Sequence, residues 1–125
     1  MSDGPHQFTV DEARALLPEV VAIADEIVPL RAELAAATRG HQSGQPTLAL
    51  ADLKGLEARM SELTDRLSAM GLQIKGFAPL LLDFPMVHEG RQLLLCWLEG
   101  ERTLDWYHDA DLGFPGRRPL SDLDL

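Results

Sequence analysis

The sequence predicts an α+β protein: an N-terminal antiparallel helical hairpin packed on a three-stranded antiparallel β-meander, with an irregular C-terminal segment. Three observations carry this. Residues 9–70 hold two long apolar stripes at helical spacing, separated by a Gly- and Pro-containing break. Residues 81–108 hold three apolar, aromatic-rich runs, separated by Glu89-Gly90 and Gly100-Glu101. Residues 113–119 hold too many Gly and Pro residues for regular structure.

The first helix has a start signal. Thr9-Val10-Asp11-Glu12 fits a capping box, in which the Thr9 hydroxyl and the Glu12 carboxylate satisfy each other's free backbone N–H groups. Ala13, Leu16, Val20, Ile23, Ile27, Leu30 and Leu34 then follow at alternating steps of three and four. A second stripe, Leu17, Val21, Ala24, Val28 and Ala35, lies beside the first. Pro18 and Pro29 each remove a backbone hydrogen bond, which predicts a kink or a break near Pro18. Residues 40–46 read as a flexible loop. The second helix is expected over residues 47–70, with Ala49, Leu53, Leu56, Met60, Leu63, Leu67 and Met70 on one face. Gly71 is placed to end it, with Leu72 making the hydrophobic contact that accompanies such caps.

Residues 73–108 are read as the sheet, with a short strand at 73–75 and three longer ones after it. With two-residue loops at both hairpins, Phe84, Leu95 and Trp106 share one core row, and Leu82, Trp97 and Leu104 the next. Met86, Leu93 and His108 form a third row on that face. The opposite face then carries Asp83, Cys96 and Asp105 side by side. A three-residue second turn over residues 100–102 would instead put His108 opposite Leu94, on the Cys96 face and diagonal to it. Residues 109–125 are expected to be irregular, pinned by Phe114 and Leu120.

The 125 residues suffice for a single domain with one modest core. The net charge of −9 repels phosphate backbones and anionic lipid, so neither nucleic-acid nor membrane binding is expected. Cys96 is the only cysteine, which excludes an internal disulfide and a multi-cysteine zinc site. The opening residues, MSDGPHQFTV, lack the basic and apolar regions of a signal peptide, so a cytoplasmic location is expected.

The motifs also stand in a recognisable order. They are FT-x-x-EA-x-x-LLP at residues 8–18, G-x-x-I-K at 71–75 and DFP at 83–85. G-R-x-x-x-L-C-W follows at 90–97, G-E at 100–101, an aromatic-His pair at Tyr107-His108, and G-F-x-G-R-x-P at 113–119. As an ordered set they resemble the small prokaryotic family known as domain of unknown function 2203. The resemblance implies no activity. It marks Asp83, Arg91, Cys96, His108 and Arg117 as family motif positions.

Two functional readings follow. The surplus apolar surface of the first helix, and the lack of a phosphate-binding Gly loop, a Ser nucleophile elbow or an HExxH motif, favour a homodimeric binding or scaffold protein. The alternative is a divalent metal site, in a binding protein or an enzyme, built on Asp83, Cys96, Asp105 and His108. Two carboxylates as close as Asp83 and Asp105 would need a positive partner, either a cation or Arg117 folded back from the tail. Asp83, Arg91 and Arg117 are the candidate ligand-binding residues. The sequence leaves open whether the protein is an enzyme.

Overall fold

The computed structural model describes residues 6–123. The expectations for residues 1–5 and 124–125 lie outside it. Helix α1 is Val10–Gln42, α2 is Leu50–Ala69, and the strands are β1 Gln73–Phe77, β2 Leu80–His88, β3 Arg91–Leu98, β4 Trp106–Asp109 and β5 Arg118–Pro119. The capping box at Thr9 and Glu12 is formed. Gly71, at φ 98°, closes α2 as expected: its N–H donates to Ser68 O, and Leu72 N–H reaches back to Leu67 O at 3.3 Å.

Two helical expectations are corrected. Helix α1 does not break at Pro18 but runs through both prolines. Pro18 and Pro29 stand on its exposed side, where water can meet the carbonyls they leave without a partner. The connecting loop is also shifted, because α1 continues to Gln42 and α2 begins only at Leu50. Among the described residues, no helix is long and apolar enough to cross a membrane.

The sheet has five strands rather than three, all antiparallel and in the order β1-β2-β3-β4-β5. Residues 73–75 extend into a full edge strand, and the expected irregular tail supplies β5 and two 3-10 turns, Phe114–Gly116 and Leu120–Asp122. The β2–β3 register is the expected one: His88 opposes Arg91, Phe84 opposes Leu95, and Asp83 opposes Cys96.

The β3–β4 register follows the three-residue alternative, with Leu94 opposite His108 and Cys96 opposite Trp106. Every residue of β4 therefore turns to the face opposite that given by two-residue loops. The cause lies at the turn. A two-residue loop needs Glu99 N–H to pair with the Arg102 carbonyl, but that N–H donates to Leu80 O of β2 at 2.8 Å. Within the longer turn the Glu101 carboxylate accepts Leu98 N–H at 2.7 Å, and Trp97 Nε1 donates to the Glu101 carbonyl at 3.0 Å.

The inner face is the core. Leu82, Phe84, Met86, Leu93, Leu95, Trp97 and Tyr107 pack against Val20, Ile23 and Ile27 of α1 and Leu63 and Leu67 of α2. Each large side chain buried there contributes roughly 2–3 kcal/mol. Arg31 ties helix to sheet, donating to both Glu99 oxygens and to the Phe77 carbonyl.

Tyr107, not Trp106, is thus the core aromatic of β4. Tyr107→Ala should cost about 3–5 kcal/mol and Trp106→Ala roughly half that. Urea unfolding of the two variants reads the difference, and the reverse order would contradict this register.

Candidate metal centre

The outer face of the sheet carries the reactive groups. Asp83 on β2 and Cys96 on β3 are direct cross-strand partners, and the β3–β4 register brings His108 to the same face. All three residues are buried, at 1%, 0% and 2% exposure. One donor atom from each lies within 4.8 Å of the others.

Hydrogen bonding settles which histidine nitrogen is free. His108 Nδ1 lies 2.8 Å from the Asp109 carbonyl, which can only accept, so Nδ1 carries a proton. In the neutral ring Nε2 is then a lone pair, and it sits 3.1 Å from Asp83 Oδ2. Two acceptors at that separation need a proton or a cation between them. The second oxygen, Asp83 Oδ1, is buried with no partner at all.

Burial pushes the Asp83 carboxyl above its ordinary range, against the opposing pull of His108 and the weaker ones of Lys75 and Cys96. Burial also raises the Cys96 thiol to about 11. Asp83 adds to that shift and Arg117 opposes it. Without a cation the thiol therefore keeps its proton at neutral pH, and Cys96 is no reactive thiolate.

The other expected residues are dispersed. Asp105 does not join Cys96. It is exposed, accepts from Arg14 at 3.2 Å and is hydrogen-bonded by the Thr103 hydroxyl. The longer turn causes this, because Trp106 takes the position opposite Cys96. Arg91 is exposed and pairs with Asp109 at 2.6 Å, so it does not share a ligand site with Asp83.

Arg117 does fold back over the sheet, but not onto the carboxylates. It bonds Glu101, donates to the Cys96 carbonyl at 3.2 Å, and lies over the Trp106 and Phe114 rings. Asp83 finds its partner in His108 instead. Glu101, Trp106 and Lys75 were missed as neighbours of the centre. The G-E at 100–101 was the one available signal for Glu101.

Fold and site together define an α+β protein with a buried Asp-Cys-His centre beneath its C-terminal segment. The chain belongs to the family described as "Uncharacterized conserved protein (DUF2203)", whose model matches residues 6–120. No curated protein and no solved structure matches it.

Asp83 supplies a pH test for the cation-free protein. Its carboxyl is raised on folding, so its contribution to stability is fully present below the unfolded value of 3.8 and is lost as pH rises through the folded value. Asp83→Asn removes that slope. In urea unfolding with a chelator, the variant should gain on the wild type as pH rises above about 4.

Proposed function

We propose that the protein binds one divalent cation, zinc by the character of its donors, between Asp83, Cys96 and His108. The observation that carries this reading is the pair of facing acceptors, His108 Nε2 and Asp83 Oδ2, beside a buried thiol and an unpartnered carboxylate oxygen. A histidine that donates Nδ1–H to a carbonyl while presenting Nε2 is oriented as metal-ligating histidines commonly are.

The dimensions suit it. Tetrahedral zinc, with bonds of roughly 2.0 Å to N and O and 2.3 Å to S, holds its ligand atoms about 3.3–3.6 Å apart. The present 3.1 Å and 4.8 Å limits need only a small adjustment. The charges suit it as well. A dication offsets one thiolate and one carboxylate, leaving a buried site with no net charge. Mixed sulfur, nitrogen and oxygen donors favour zinc over calcium or magnesium, which take oxygen. Asp83 Oδ1 shares a carboxylate with Oδ2 and lies too close to it to fill a separate tetrahedral vertex, so water takes the fourth position. Burial of all three ligands favours a centre that locks β2, β3 and β4 together.

Protein purified without a tag or chelator should carry one zinc per chain by elemental analysis. Asp83→Asn and His108→Ala should each abolish it, and a metal-free wild type refusing stoichiometric zinc would sink the reading. The thiol sits at about 11, so at neutral pH it must give up its proton on binding. Affinity should fall as pH is lowered, by about tenfold per unit for each proton displaced. Calorimetry in buffers of differing ionisation enthalpy counts those protons, with at least one expected per cation.

Self-association is the second reading. The sheet covers more of the second α1 stripe than expected: Leu17 and Ala24 are buried, and Val21 and Val28 half-buried. A mainly apolar cleft of about 800 Å³ remains between α1 and the β3–β4 loop, lined by Leu17, Pro18, Val21 and Leu104 with Arg14 and Arg102 at its rim. That cleft favours a second copy of the chain as its cover. Light scattering that gives a monomer mass at micromolar concentration would exclude it.

A further inference from the structure

Among the described residues, two buried side-chain polar atoms lack a hydrogen-bond partner: Asp83 Oδ1 and Arg117 Nε. One accepts and the other donates, and their residues stand on either side of Cys96. Asp83 is its cross-strand partner, and Arg117 donates from Nη2 to its carbonyl. The guanidinium is held in place. Its centre lies 4.8 Å from the Trp106 ring and 5.2 Å from the Phe114 ring, and Glu101 grips its Nη2 end. This leaves a buried N–H on a side chain that already bonds the backbone of Cys96, the only cysteine in the chain. A thiol is a poor acceptor for such a donor, whereas a thiolate is a strong one.

We propose that Arg117 is the outer-sphere donor to the Cys96 sulfur, hydrogen-bonding the thiolate that forms when a divalent cation binds and so tying the C-terminal segment to the loaded centre. This rests on the metal reading above. On binding, the S–H bond breaks, its proton passes to solvent, and the sulfur lone pair forms the bond to the metal. Arg117 Nε then gains its partner in the same event. The Arg117–Glu101 pair is neutral by itself, so it adds no net charge to the balanced centre. The proximity of Arg117 already opposes the upward push of burial on the thiol. Arg117 is a positioning residue here, since it acts through the ligand and not on the cation.

The test is a cobalt(II) titration of the full chain, reading the near-ultraviolet thiolate-to-cobalt charge-transfer band. Arg117→Gln should weaken binding 10–100-fold, as loss of outer-shell partners does, and move the band to longer wavelength because the thiolate has lost a donor. Wild-type affinity and band position in Arg117→Gln would overturn the inference. If Arg117→Gln fails to fold, hydrogen exchange on the wild type decides: residues 111–120 should gain protection on adding cobalt, and unchanged exchange there overturns the coupling. A wild type with no charge-transfer band would instead overturn the metal reading itself.

Discussion

The backbone N–H of Glu99 donates to Leu80 O of β2, and the arrangement of the outer sheet face depends on that bond. It takes the donor that a two-residue hairpin would pair with Arg102, so the β3–β4 connection carries one more residue in its turn. Because strand side chains alternate with a period of two, that one residue reverses every side chain of β4. His108 turns from the core face to the face of Asp83 and Cys96. Tyr107 turns inward to the helices, and Trp106 turns outward to become the platform for Arg117. Glu101 braces the longer turn at Leu98 N–H and also binds Arg117, so one carboxylate links that turn to the C-terminal segment.

The two faces of the sheet obey different physics. The inner face is held by apolar area, which is forgiving of detail. Phe84, Trp97 and Leu95 pack against α1 and α2 with no polar requirement beyond the backbone ladder. The outer face is small and polar, and it is buried by a short segment of little regular structure. There a mismatch of one proton or one hydrogen bond has a large effect, because unpaired polar groups in low dielectric cost about 1–3 kcal/mol each. Natural chains leave such groups rarely. Both of those found among the described residues, Asp83 Oδ1 and Arg117 Nε, belong to residues that flank Cys96. This concentration makes the outer face, rather than the larger apolar cleft by α1, the better place to look for function.

The sequence by itself determined the helices, the sheet's existence and half of its register. Heptad spacing reports a helix face directly. The Thr9 capping box and Gly71 mark helix ends through local backbone chemistry, which needs no tertiary contact. Glu89-Gly90 set the β2–β3 pairing correctly because both residues adopt positive φ, at 50° and 77°, as a two-residue hairpin turn requires. Asp83 and Cys96 were therefore legible as neighbours. The tertiary structure decided the rest. Gly100-Glu101 look like a related signal, since positive φ at Gly100 alone still fits a type II′ two-residue turn, yet Glu99 N–H goes to Leu80 O and Glu101 spends its side chain on Leu98 and Arg117. No local pattern reports that choice, because Arg117 arrives from a tail whose path depends on Trp106 and Phe114. Asp105 lost its place beside Cys96, and His108 gained one, through a hydrogen bond that exists only once the chain has folded back on itself.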